Sequence, residues 1–191
     1  MTGAPTIFDN ALIRKRRDRY AKSASAHDFL LTRVADDFAE RLAIVRREFP
    51  VAVNAGAYHG LLSRRLRTLP NIATMIDVEA SMALLAQSDG PSHAADDETL
   101  PFAAASVDLI VSGLAWQFVN DLPGMLAQAR RALKPDGLLL AALLGGETLK
   151  ELREAWLLAE SEILGGASPR VSPVADVRDV GALLQRAGFA L

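Results

Sequence analysis

Apolar positions along this chain fall into two patterns, unbroken runs of five to seven residues and stripes spaced three or four apart. Val34, Phe38, Leu42 and Val45 form such a stripe, so residues 7–48 read as helical up to a stop at Pro50. Val51 to Ala55 is a buried strand ending in a tight turn at Gly56. Helical spacing resumes from Leu61 to Leu69. Ile72 to Asp77 reads as a second strand and Ala80 to Gln87 as a helix. Ser88 to Ala95, with Asp, Gly, Pro and Ser, reads as loop with a short strand at its end. Val107 to Ser112 is a third strand, Leu122 to Leu133 a helix, Pro135-Asp136-Gly137 a turn, and Leu138 to Leu144 an apolar strand. A helix from Glu147 to Leu164 stops at Gly165-Gly166. After the loop Ser168 to Pro173, Asp176 caps a helix running to Ala187.

The strand runs do not alternate apolar with polar, so both faces of each strand are buried. With helices between them, this predicts an α/β fold with a mostly parallel sheet wrapped on both faces by helices. Residues 1–48 form an N-terminal helical segment and 49–191 the α/β domain. Gly188 to Leu191 reads as the start of a strand, so further C-terminal strands of the sheet are expected to be missing.

Composition narrows the chemistry. The 21 basic and 23 acidic residues give a net charge of −2, which does not suggest a nucleic-acid partner. With no cysteine, disulfides, thiolate nucleophiles and Cys-ligated metals are excluded. His27, His59 and His93 lack metal-ligand spacing, so no metal site is expected. The longest apolar run, Leu138 to Leu144, is too short to span a bilayer, and Met1 to Thr6 precede no apolar signal core. The expected compartment is the cytoplasm in a bacterium, or the mitochondrial matrix in a eukaryote.

Chemistry is expected where strands end. Asn54-Ala55-Gly56-Ala57-Tyr58-His59-Gly60 follows a strand and opens a helix. It is either a plain turn or a loop that brings backbone N–H groups to a ligand. Asp77, 17 residues after Gly60, either holds a ribose or caps a helix together with Ser81. Asp96 and Asp97 read as an acidic turn or as acceptors for an adenine amino group. Ser112, Gly113, Trp116 and Gln117 follow the third strong strand, Trp116 as a stacking ring or as core. The run Arg14-Lys15-Arg16-Arg17-Asp18-Arg19 is either a solvated face or a contact for an acidic protein or a carboxylate-bearing substrate. His59 is a loop residue and a weak candidate base.

Several stretches together resemble the class I S-adenosylmethionine (SAM)-dependent methyltransferases. They are Ile7-Phe8-Asp9 with the basic run, Leu100-Pro101-Phe102, Val119-Asn120-Asp121-Leu122-Pro123, Leu133-Lys134-Pro135-Asp136-Gly137 and Arg186-Ala187-Gly188-Phe189. Gly145-Gly146-Glu147-Thr148-Leu149-Lys150-Glu151-Leu152-Arg153 and the Ser168-Pro169-Arg170-Val171-Ser172-Pro173 loop point to one branch. That branch holds the mitochondrial complex I assembly factor credited with protein-arginine hydroxylation and its bacterial relatives. It is similar to the malonyl-carrier-protein methyltransferases of biotin synthesis. The resemblance implies a Rossmann-like sheet of seven strands. It places Gly56 and Gly60 under the methionine of SAM, Asp77 on the ribose, Asp96 and Asp97 at the adenine, and residues 112–117 between cofactor and acceptor. Two positions depart from the family pattern: Asn54 stands where an acid is usual, and Tyr58 where a glycine is usual. Losing one charge-assisted contact costs about 1.5–3 kcal/mol, and a side chain at position 58 crowds the ligand, so weakened SAM binding is expected.

Three functions follow. The first is SAM-dependent methyl transfer to a small-molecule or protein acceptor, which needs alignment more than acid–base groups and names no catalytic residue. The second is a SAM-binding arginine hydroxylase acting in assembly on a respiratory complex I subunit. The third is a non-catalytic assembly protein with a degenerate cofactor loop.

Overall fold

The computed structural model describes residues 6–191. Five strands form one parallel sheet in the order β3-β2-β1-β4-β5. They are β1 (Phe49–Ala55), β2 (Ile72–Glu79), β3 (Ser92–Ala94), β4 (Val107–Gly113) and β5 (Leu133–Ala142). The chain winds outward from β1 through β2 to β3. It then returns to the other side of β1 for β4 and β5. The strand order therefore reverses between β1 and β4, and a crevice opens there at the carboxyl ends of the strands.

Both sheet faces are apolar because each is covered. Phe49, Ala52, Leu109 and Val111 pack with Phe38 and Leu42 of α2 (Phe29–Ala43) and Leu62 and Leu66 of α3 (Leu61–Leu66). Val53, Ala55, Val107 and Ile110 pack with Met125, Leu126 and Ala129 of α5 (Leu122–Ala132). Leu183 and Leu184 of α7 (Val177–Arg186) close that face. The expected helix-wrapped parallel sheet is present. Among the described residues no helix is long and apolar enough to cross a membrane.

Several boundaries differ from expectation. The region read as one helix to Pro50 is α1 (Asn10–Tyr20), a 3-10 turn (Ala21–Ala26) and α2, which ends at Ala43. Ser23 turns its hydroxyl back to the Tyr20 carbonyl (3.2 Å), a local bond that competes with continued helix. Pro50 is the second residue of β1, tolerated because pairing with β4 begins only at Ala52. The Pro135-Asp136-Gly137 turn lies inside β5 as a bulge: Val107 faces Leu133, yet Leu109 faces Leu138. Strand β2 runs on to Glu79, because Ser81 caps the short α4 (Met82–Leu85) through Leu84 N–H. Residues 188–191 form no strand; Phe189 N–H bonds back to Leu184 O (3.0 Å) and the ring packs under α5 and α7.

The segment between β5 and α7 holds α6 (Lys150–Leu164), which starts three residues later than the sequence pattern suggests and ends at Gly165. Its Glu160 gathers Ser168 N–H (2.7 Å) and Arg170 Nε (2.6 Å), and Arg170 lies over the Trp156 ring. These donors, the Ser168 N–H first, hold the Glu160 carboxyl below the usual range. The conspicuous Gly-Gly and Ser-Pro-Arg stretches thus brace one helix against its own return loop.

Leu42 is fully buried between α2 and the sheet, whereas Ile163 is 79% exposed on α6. Urea unfolding of Leu42→Ala is expected to show a loss of about 2–5 kcal/mol, and Ile163→Ala a change within about 0.5 kcal/mol.

Candidate functional site

The turn after β1 sits at the reversal point of the sheet. Gly56 (φ +76°) and Gly60 (φ +78°) take left-handed backbone that bends the chain from β1 into α3. Gly56 and Ala57 N–H both bond the Val78 carbonyl (2.9 and 3.0 Å), which ties the turn to the end of β2. A Cβ on Gly56 would stand 2.2 Å from Ala115 Cβ, so the loop after β4 already presses on this glycine.

Tyr58 occupies the middle of that turn with φ +52°, a conformation that strains a residue with a Cβ. Three contacts hold it. Its N–H donates to Glu79 Oε2 (2.9 Å) at the end of β2. Its hydroxyl donates to Leu114 O (2.6 Å) beyond the end of β4. The Arg17 guanidinium of α1 lies 5.2 Å from the ring centroid. Residue 58 thus ties the end of β2, through its backbone N–H, to the loop after β4, through its hydroxyl. Burial pushes its phenol up to about 12, against the nearby Arg17 charge.

Arg17 closes the third side. One nitrogen reaches both Glu79 Oε1 (3.1 Å) and Asp97 Oδ1 (2.7 Å). Burial works against this charge, but Glu79, Tyr58 and Asp97 outweigh it and hold the guanidinium protonated. Glu79 is itself buried and also accepts from Ser81 N–H (2.9 Å). Each charged member of the cluster thus faces an opposite charge, as a buried ion cluster requires.

The residues expected to hold SAM separate into two groups. Gly56, Asp96 and Asp97 line one hollow together with Glu79, Ala55 and Trp116. Asp96 takes the N–H of Glu98 (3.1 Å), and Asp97 is held by Arg17. Asn54 and Asp77 instead lie side by side beneath the turn, paired in register and fully buried. Asn54 Nδ2 donates to Ser63 Oγ (2.8 Å) and Asp77 Oδ1 (3.3 Å), while its Oδ1 has no partner. Asp77 also takes the Ser63 and Ser88 hydroxyls and Arg67 (3.3 Å). Asp77 was expected at the end of β2; it lies two residues inside, and Glu79 stands at the end. Ser112 is buried within β4 with its hydroxyl unpartnered. Trp116 is core and hollow wall at once. Gln117 donates to Leu114 O (2.7 Å), and His59 is buried against Asp28 (3.2 Å). Arg17 leaves the basic run to serve the interior, whereas Arg14, Lys15, Arg16 and Arg19 are exposed.

The hollow measures about 10 Å³, room for one water molecule. Nucleoside-sized ligands need several hundred. As placed, the residues lining this hollow leave it too narrow for an adenosine. Among the described residues no three His, Asp or Glu side chains converge as a metal site requires.

Comparison with known proteins places the scaffold. Residues 53–141, from β1 to β5, match the family described as Methyltransferase domain. The chain is 39% identical over 192 residues to mouse "Arginine-hydroxylase NDUFAF5, mitochondrial", covering 97% of this chain and 56% of that one. It is 34% identical over 203 residues to "Malonyl-[acyl-carrier protein] O-methyltransferase" of Methylovorus sp., covering 99% and 67%. Among solved structures, the complex of the Haloferax volcanii Trm112 methyltransferase activator with its methyltransferase aligns with a TM-score of 0.70 at 19% identity, covering 92% of this chain and 75% of that one. An S-adenosylmethionine-dependent methyltransferase of Mesorhizobium loti aligns at 0.61 and 17% identity, covering 82% and 81%. The chain belongs to the class I SAM-dependent methyltransferase superfamily. It spans just over half the length of the mouse relative. The matched domain and the structural neighbours imply a SAM site in this fold.

Two measurements probe the arrangement. The folded state holds the Tyr58 proton more tightly than the unfolded state, whose phenol titrates near 10. Stability is therefore expected to be full below about pH 10 and to fall as pH rises toward 12. Ultraviolet difference titration should place the Tyr58 midpoint near 12, and Tyr58→Phe should abolish that step. Asn54→Asp sets a second carboxylate against buried Asp77 and is expected to cost about 2 kcal/mol or more at neutral pH in urea unfolding. The loss should shrink as pH falls toward about 4, where the added carboxyl takes up its proton.

Proposed function

We propose that this chain is an assembly or binding member of its superfamily, with the cofactor hollow held shut by its own Tyr58 and Arg17. One observation carries this reading: at the end of β1, Tyr58 holds Glu79 through its backbone N–H and the Leu114 carbonyl through its hydroxyl, and the adjoining hollow has room for one water molecule. Two carboxylates of the hollow are already engaged, Glu79 with Arg17, Tyr58 and Ser81, and Asp97 with Arg17. Displacing them exposes buried charge before any ligand contact is gained. The relatives named as mitochondrial arginine hydroxylases support a role exercised on a protein partner, and the branch resemblance points to a respiratory complex I subunit. A relative of that location also supports the mitochondrial matrix for a eukaryotic chain, with the cytoplasm as the bacterial counterpart.

A second reading retains methyl transfer, in a form where Arg17 and Tyr58 swing out and SAM lies across Gly56 and Gly60. It is favoured by the identity with a malonyl-carrier methyltransferase, and by Arg17 arriving from α1, which packs on α4 and the 3-10 turn and not on the sheet core. In that form proximity would do the catalytic work.

Calorimetry with SAM separates the two. The closed reading expects no saturable heat from the wild type at millimolar SAM. It expects binding to emerge in Tyr58→Gly, which also relieves the left-handed strain. Micromolar SAM binding by the wild type would overturn it in favour of methyl transfer.

A further inference from the structure

We infer that the pocket between α1, the 3-10 turn and the start of α2 is a binding site for a single-chain amphiphile with an acidic head. The pocket encloses about 330 Å³, at the lower end of small-molecule sites. Ala24, Leu31, Leu84 and Leu114 wall it, and Tyr58 forms its floor. Phe29, 80% exposed, and Tyr20 stand at its rim. Large apolar side chains left in water around an apolar hole mark a place that something else covers.

Charge decides what enters. The charged groups that touch the pocket are spent on partners: Arg17 on Glu79 and Asp97, Asp28 on His59. A charged group pushed inside would find no counter-ion, so the buried part of the occupant is apolar. A shallower depression adjoins it, lined by Arg16, Arg17, Arg19, Tyr20 and Ser23. Arg17 and Tyr20 border both. No carboxylate lines the depression. Arg16 and Arg19 are exposed. Two free guanidinium forks beside an apolar hole complement a carboxylate or phosphate joined to an apolar chain. An acidic peptide would leave the hole empty, and a neutral apolar molecule would leave the arginines unused. The basic run of α1 then divides its labour: Arg17 locks the interior, and its neighbours face the ligand head.

This goes beyond the assembly role and rests on it only for the Tyr58 floor. SAM binding by the wild type would sink that role while leaving the titration below to decide this one. The full chain is titrated calorimetrically with laurate below its micelle-forming concentration, and saturable binding of one laurate per chain is expected. The double variant Arg16→Glu, Arg19→Glu should weaken laurate about tenfold or more and leave dodecanol unchanged. Phe29→Glu should weaken both ligands; the three positions are exposed, so urea midpoints should hold. Ile163→Glu on α6 should alter neither, which separates the pocket from general apolar adsorption. Laurate binding indifferent to the arginine charges overturns the inference. So does the absence of saturable laurate binding at millimolar concentration. Attachment to phosphatidylglycerol vesicles without saturable laurate binding also overturns it, because a membrane surface and not a one-molecule site would then be at work.

Discussion

One guanidinium organises the carboxyl end of this sheet. Arg17 reaches from α1 to Glu79, Asp97 and the Tyr58 ring, three groups that belong to β2, the loop after β3 and the turn after β1. Burying a charge is expensive, and the expense is met only when every member of the cluster is paired. The N-terminal helix, the turn and the strand ends are thereby held in a single arrangement. Such a cluster adds little net stability compared with apolar packing, but it strongly disfavours arrangements in which one member is left alone.

Tyr58 shows how the cluster and the backbone agree. A left-handed residue with a side chain is strained by an amount on the order of 1–3 kcal/mol. Its N–H, hydroxyl and ring each find a partner, which offsets that strain. Where a ligand would supply hydrogen bonds to the ends of β2 and β4, the protein supplies its own phenol and amide. Asn54 fits the same logic. Set against fully buried Asp77, an amide donates where a second carboxylate would repel. Both departures from the family pattern are thus satisfied by partners within the chain.

The narrow hollow shares its wall residues Glu79 and Asp97 with the Arg17 cluster, while the apolar pocket takes the Tyr58 ring into its lining. The scaffold is that of the methyltransferases, and on such a scaffold the side chains of the site decide what is bound.

The residues alone determined the layout: apolar runs on both faces, helical stripes between them, and turns at Gly56, Gly60 and Gly165. Local physics suffices there, because propensity and burial pattern act within a few residues. Asp96 and Asp97 were legible at the hollow for the same reason, since they directly follow β3. The break at Ser23, the bulge in β5 and the extension of β2 to Glu79 depended on side-chain bonds that periodicity does not encode. The site itself was decided by the tertiary structure. Arg17 and Glu79 are 62 residues apart. Nothing in a basic run on a surface helix announces that one of its members turns inward. Only the tertiary packing of α1 brings that charge to the two carboxylates and to the ring of the tyrosine in a glycine's place.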